Sequence, residues 1–222
     1  MHGGLQEMLV RKGAEASLFL EEWQGNQVIL KHRIPKKYRH PQIDGRIRSY
    51  RTLHESQLLH EAKVAGVPTP VIFSVDLHES KILMEFIEGP RVKELLITLS
   101  LEARTLLCRQ IGRMIGCLHK NHIIHGDLTT SNMILTGDGR VVFLDFGLGE
   151  KTAALESRGV DLHLMKRAFQ STHFRIAETC FAAILEGYVD VLGKILANRV
   201  VKKIREIELR GRYISGRSEH EH

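Results

Sequence analysis

Two short acidic motifs that have to meet in space constrain this chain more than anything else in it. The first is His125-Gly126-Asp127-Leu128-Thr129-Thr130-Ser131-Asn132. The second, Asp145-Phe146-Gly147, stands 18 positions beyond Asp127 and directly follows an apolar run, Val141 to Leu144. Between them, Met133 to Leu135 and Val141 to Leu144 read as two strands around a Gly137-Asp138-Gly139 turn. An Asp with an Asn five positions on is by itself a common loop-capping pattern. Linked by a hairpin to a second acid at a strand end, it becomes a set of hard oxygen donors on adjacent loops.

Such a set suits phosphate chemistry. Phosphoryl transfer from a nucleotide needs a divalent cation bridging phosphate oxygens, held by oxygen ligands rather than sulfur or imidazole. Asn132 and Asp145 supply those ligands for magnesium, and Asp127, on the loop of Asn132, is the candidate base that orients an attacking hydroxyl or water and takes its proton. A cation for the α and β phosphates of ATP should come from a strand, and Lys31 ends Val28-Ile29-Leu30-Lys31, close to the V-A-I-K pattern of kinases. The flexible stem of Lys31 needs an acidic partner, and the next helical stretch offers Glu55 or Glu61, which lie on different faces. Glu55 is preferred because Leu59 and Ala62 follow it at i+4 and i+7, the stripe that would pack toward the sheet.

The remaining nucleotide contacts are expected from two segments. Lys12-Gly13-Ala14-Glu15-Ala16 would cover the phosphates with a single glycine where kinases have G-x-G-x-x-G, and Glu15 would repel them unless metal or Lys12 intervenes. Glu85, Phe86 and Ile87, at the edge where a strand runs into a linker, would offer backbone groups to adenine.

The pattern along the chain predicts an α+β class. Ala16 to Trp23 and Val28 to Lys31 alternate as strands around a Gly25-Asn26 turn, and a basic, Pro-bounded insert from Pro35 to Gly45 leads to a helix over Tyr50 to Ala65. Strands follow at Val71 to Val75 and Ile82 to Phe86. After Glu88-Gly89-Pro90 the period changes: Leu107, Ile111, Met114, Ile115 and Leu118 fall on one helical face, and three more helical stretches reach about Leu209. A small antiparallel sheet with one helix over residues 1–87 and a mainly helical lobe over 88–222, with a basic tail at 210–222, are the expected domains.

Composition sets the outer limits. With 43% hydrophobic residues, 26% charge and no apolar run near the roughly 20 residues that span a bilayer, the chain reads as a folded, cytoplasmic protein with no membrane span. Cys108, Cys117 and Cys180 lack C-x-x-C spacing and an even count, which argues for reduced core residues. His119, His122 and His125 bracket the catalytic loop and are read as structural hydrogen-bonding groups. The net charge of +6 is concentrated in Lys31 to Arg51 and Lys194 to Arg217, two basic runs that could meet phosphate.

The whole chain resembles the small RIO-like atypical kinase and ATPase subunit of the KEOPS complex, which supports threonylcarbamoyl modification of adenosine in tRNA. The resemblance rests on Lys12-Gly13-Ala14-Glu15-Ala16, Lys31-His32-Arg33 with Lys37-Tyr38-Arg39-His40-Pro41, the two acidic motifs, Gly159-Val160-Asp161-Leu162 and Leu209-Arg210-Gly211-Arg212-Tyr213. It implies a bilobal kinase fold without an activation segment, an ATP-dependent serine/threonine kinase or ATPase activity, and a threonylcarbamoyl-transferase partner toward which Arg210, Arg212 and Arg217 would point. It also implies a small regulatory subunit on the N-terminal lobe, and tRNA would explain both basic runs. Gly126 stands where ordinary kinases have an Arg and Thr129 where they commonly have a Lys, which makes ATP hydrolysis on a partner at least as plausible as efficient protein phosphorylation. A stand-alone protein or small-molecule kinase and a nucleotide-binding scaffold are the competing readings.

Overall fold

The structure, a computed structural model, describes residues 8–13 and 15–217, with side chains through Arg210 apart from that gap. Its first layer is a five-stranded antiparallel sheet built from β1 (Met8–Lys12), β2 (Ser17–Trp23), β3 (Asn26–His32), β4 (Ile72–Asp76) and β5 (Lys81–Glu85) in the order β1-β2-β3-β5-β4. Trp23 pairs with Asn26, so the hairpin turn is Gln24-Gly25, one residue earlier than the sequence reading placed it. Both turn residues have positive φ, 52° and 77°. This is the backbone of a two-residue turn whose twist matches the strands it joins. Asn26 instead opens β3.

One long helix, α1 (Pro41–Val64), crosses between β3 and β4 and packs on β4 and β5. It begins nine residues before the Tyr50 start expected from the sequence. Pro41 sits at the first helical position, where its missing N–H costs nothing, so the end of the supposed insert is helix. Asp44 in that first turn is buried and accepts from Arg48 Nε at 2.7 Å, with Arg39 at 3.5 Å. Much of the first basic run is thus paired within the chain. Lys31, Arg33, Arg39, Arg48 and Arg51 all have carboxylate partners, which a count of charge along the sequence does not register.

A short α2 (Val92–Leu95) leads to α3 (Leu101–Lys120), which starts where Ser100 Oγ accepts from the Ala103 N–H at 3.2 Å. Then come β6 (Ile123–Ile124), the hairpin β7 (Met133–Leu135) and β8 (Val141–Phe143), and β9 (Glu150–Lys151), which pairs back onto β6. Helices α4 (Leu155–Thr172), α5 (Ala177–Leu192) and α6 (Lys194–Arg217) complete the chain. The stripe Leu107, Ile111, Ile115 and Leu118 is buried, with Met114 partly so, as the helical period requires.

α3 and α5 run side by side in the same direction. A methyl added at Gly112 would lie 2.0 Å from the Ile184 carbonyl oxygen, and one at Gly116 2.8 Å from Val191. Gly187 returns the contact against the Arg109 carbonyl, also at 2.0 Å. Small residues let the two backbones touch, which makes this pair the rigid floor beneath the loops that follow α3.

Candidate active site

Strand β3 and the residue just past its end deliver two cations to one place. Side chains two apart on a strand share a face, so Lys31 and Arg33 both reach Glu55 on α1. Lys31 Nζ lies 2.6 Å from Glu55 Oε1, and Arg33 Nη2 lies 2.6 Å from Glu55 Oε2. Lys31 also donates to Asp145 Oδ1 at 2.7 Å, joining three segments that are far apart in sequence. Burial would pull the Lys31 ammonium down, yet the carboxylates of Glu55 and Asp145 hold it above its ordinary range. Asp145 is the mirror case: burial pushes its carboxyl up, but the Lys31 charge and hydrogen bond bring it down to about 2. Both groups are ionised at neutral pH. Glu61, the other candidate partner, instead pairs with Lys151 at 2.7 Å on the outer side of α1.

Asp145 has a left-handed backbone, φ 60°, which an Asp tolerates better than most residues but at a cost. Its Oδ1 accepts from the Gly147 N–H at 3.3 Å, and a methyl on Gly147 would come within 3.3 Å of Arg33 Nη2.

The loop between β6 and β7 brings Asp127 and Asn132 together. Asn132 Nδ2 donates to Asp127 Oδ2 at 2.8 Å and to the Asp127 carbonyl at 3.0 Å. Both amide donations are spent on one residue, which leaves the Asn132 amide oxygen as the group able to ligate a cation. His125 ties this loop to the strand before Asp145. Its Nε2 lies 3.0 Å from the Leu144 carbonyl and must donate, so Nδ1 accepts the Asp127 N–H at 3.3 Å. Burial pushes the His125 ring below its ordinary range and keeps it neutral.

Underneath, Asp161 of α4 receives three donors. The N–H groups of His125 and Gly126 each lie 2.9 Å from its carboxylate, and His119 Nε2 lies 3.2 Å away. The other nitrogen of His119 meets the Tyr188 hydroxyl at 2.7 Å, which links the loop to both α3 and α5. Gly126 has φ 79°, and a methyl there would sit 2.0 Å from the Leu148 carbonyl oxygen. Neither the backbone nor the space admits the Arg that ordinary kinases place at this position.

Asp127 and Asp145 line one cleft with Gly13, Glu15, Ala16, Leu18, Lys31, Arg33 and Arg51. The cleft continues between Leu18, Ile29, Leu59 and Met84 to Glu85, Phe86 and Ile87. Of the covering turn, Gly13 N–H donates to the Ala16 carbonyl at 2.9 Å, and Ala14 lies outside the described residues. Lys12 is exposed on β1 and does not line the cleft; the partner of Glu15 is Arg51 of α1. Glu85 is tied to the sheet, its N–H donating to the Val71 carbonyl at 2.8 Å and its Oε2 accepting from Val71 N at 2.9 Å, which leaves Phe86 and Ile87 nearer the free edge.

The sequence reading passed over two site residues. Arg33 was findable, since it stands two positions after Lys31, where the extended chain running off β3 still shares its face. Arg51 stands four before Glu55 on one helix face, but its partner Glu15 lies 36 residues away, beyond any local pattern.

The chain is also similar to known proteins. Residues 31–173 match the RIO domain model. The chain is 49% identical to the KEOPS complex subunit Bud32 of Pyrococcus abyssi over 92% of its own length and 96% of that protein. It is 46% identical to a probable bifunctional tRNA threonylcarbamoyladenosine biosynthesis protein of Methanothermobacter thermautotrophicus over 92% of this chain, which spans 36% of that larger protein. The EKC/KEOPS complex subunit Tp53rkb of Mus musculus is 38% identical over 92% of this chain and 86% of its own. With its sheet, its acidic loops and these relatives, the chain belongs to the RIO-domain family, among the proteins related to the KEOPS subunit Bud32.

Proposed function

We propose that this chain binds ATP with magnesium in the cleft between its sheet and its helices, and serves a KEOPS-type assembly as an atypical serine/threonine kinase or ATPase. The assembly would support threonylcarbamoylation of adenosine in tRNA, as the names of the relatives indicate for those proteins. One observation carries the reading: Lys31, Glu55 and Asp145 converge from three segments onto the cleft that Asp127 also lines. Charged groups drawn together in a cleft, with the Lys31 and Asp145 pKa values displaced by each other, are a pattern that clusters at functional sites.

The donor set fits magnesium. Asn132 and Asp145 offer an amide oxygen and an ionised carboxylate, the hard oxygens that this cation takes. Asn132 and Asp145 would hold the metal, which would supply positive charge to the phosphates. Lys31 would turn from Asp145 to the α and β phosphates, Asp127 would orient the attacking oxygen and accept its proton, and the adenine would lie between Leu18, Ile29 and Met84 and the edge at Phe86 and Ile87. Gly13 and Ala16 would cover the phosphates, with Glu15 held off them by Arg51.

Hydrolysis is the favoured outcome, because β9 ends at Lys151 and α4 begins at Leu155, with no length between for a platform to hold a protein substrate. The lobes would divide near residue 87. A transferase subunit would engage the chain toward its basic end, a small regulatory subunit the sheet, and tRNA the basic surface of α6. The test is ATP turnover by the purified chain, alone and with its transferase partner and tRNA, beside Asp127→Ala and Asp145→Ala. Turnover that rises with partner and is lost in both variants is the expected result. Turnover raised by a free hydroxyl substrate and indifferent to the partner would favour a stand-alone kinase, and none under any condition would leave a scaffold.

A further inference from the structure

Arg51 stands at one particular end of the cleft. The two stretches of the cleft share Leu18, Lys31 and Asp145, and the stretch that runs on to Phe86 and Ile87 does not include Arg51. Arg51 lines the other stretch, together with Asp127 and the covering turn. A nucleotide whose adenine lies at Phe86 and Ile87 and whose first phosphates lie at Lys31 therefore brings its last phosphate toward Arg51.

Both ends of this side chain are placed by the fold. Arg51 precedes Glu55 by four residues on α1, so the two side chains share a helix face, one turn apart. Glu55 is anchored by Lys31 and Arg33, and the ion pairs that build the site thus also fix the root of Arg51. Its tip is fixed by the covering turn, where Nη1 donates to Glu15 Oε2. A guanidinium carries five N–H donors in a rigid planar fork. Among the described residues, Arg51 Nε and Nη2 make no hydrogen bond, and the side chain is 35% exposed, open to a ligand. The other cations at this end are placed differently. Lys31 and Arg33 are buried on carboxylates, while Arg11 is exposed on β1, the outermost strand, where solvent screens its charge.

We infer that Arg51 is a specificity-determining residue: it keeps Glu15 on Nη1 and offers Nε and Nη2 to the terminal phosphate, so that the site tells a nucleoside triphosphate from a diphosphate. This rests on the functional reading above. The pair with Glu15 is kept throughout, which holds the carboxylate of the covering turn off the phosphates and the guanidinium in position. Two parallel N–H donors on phosphate oxygens form a charge-assisted contact about twice as strong as a neutral one, and a diphosphate has no group at that place to receive it.

The test uses the full chain and measures, by titration calorimetry with magnesium, the binding of ADP and of the β,γ-imido analogue of ATP, which is not hydrolysed. The wild type should prefer the analogue. Arg51→Met should weaken the analogue by about tenfold and ADP by less than about threefold. The discriminating arm is Glu15→Gln. If Arg51 served only to restrain Glu15, Arg51→Met added to Glu15→Gln would cost nothing; with a phosphate contact it should still cost the analogue about fivefold or more. Arg11→Met, which removes an equal charge from the same end, should leave the preference within about twofold of the wild type. Should Arg51→Met not fold, nitrogen-15 NMR of the wild type carries the test: the Arg51 Nε signal shifts on adding the analogue and stays near its free position on adding ADP.

A wild type that binds both nucleotides equally would overturn the role of Arg51 alone. So would an equal loss for both in Arg51→Met, a loss that disappears in the Glu15→Gln background, an Arg11→Met variant that loses as much preference as Arg51→Met, or an Nε signal that moves alike with either ligand. Binding of neither nucleotide to the wild type would remove the functional reading itself, and this inference with it.

Discussion

Asp145 combines a backbone conformation that costs about 1–3 kcal/mol with a carboxyl group held at about 2 by its lysine partner. Its folded value lies below the ordinary 3.8, so ionisation favours the folded chain. That contribution is complete above pH 3.8 and is lost as the pH falls toward 2. Lys31→Met removes the charge that lowers it, and stability should then fall less steeply across that window, as unfolding free energy measured against pH will record. Gly126 gives a sharper prediction. Gly126→Ala places a methyl at φ 79° against a carbonyl 2.0 Å away, and should cost at least about 2 kcal/mol in denaturant unfolding and abolish ATP turnover. At this scale the sequence was legible wherever a local period carried the information. Glu55 stood out from Glu61 because Leu59 and Ala62 shared its face, and the structure places Lys31 on Glu55. Glu15 was unreadable for the opposite reason, since its partner Arg51 comes from another element and electrostatics across space leaves no spacing in the sequence.

The elements differ in how openly they announce themselves. The hairpin β7–β8 and the buried stripe of α3 follow from alternation and a 3.6-residue period, and both lie where those patterns put them. The start of α1 was misplaced because a proline can bound a loop or open a helix, and only the burial of Asp44 beside Arg48 distinguishes the two. The parallel contact of α3 with α5 was invisible, since a glycine in a helix looks like a weak point until the neighbour it admits is known. That contact predicts a contrast between two substitutions. Gly112→Ala forces a methyl onto the Ile184 carbonyl and should lower stability by about 1–3 kcal/mol. Gly137→Ala, at the β7–β8 turn with nothing within 4 Å of the added methyl, should change it by less than about 0.5 kcal/mol. Thermal or urea unfolding of the two variants side by side is the check.

Across the whole molecule, one buried carboxylate connects the cleft to the helical part. Asp161 accepts from the two N–H groups that precede Asp127, and through His119 it reaches Tyr188 on α5. Asp161→Asn would turn an amide donor toward donors. It should increase hydrogen exchange at His125 and Gly126 and remove ATP turnover, while Tyr188→Phe, which loses one buried hydrogen bond, should cost about 1 kcal/mol and leave the loop protected. The fold class was readable in the sequence because each layer has its own hydrophobic period. The way the layers are joined was not, because Asp161, His119 and Tyr188 are far apart in sequence and meet only in the interior.

The residues numbered 148–154 bridge the second acidic motif and α4, pairing once with β6 on the way. Within that bridge Thr152 is the one hydroxyl, and its oxygen is already spent on the Ala154 N–H at 3.1 Å. The bridge is short, with three residues between β9 and α4. Its Leu148 carbonyl lies where a side chain on Gly126 would have to go, and so short a segment gives a chemical mark added there no arm to swing. On the proposed reading, the moment of firing would belong to whatever docks against the cleft.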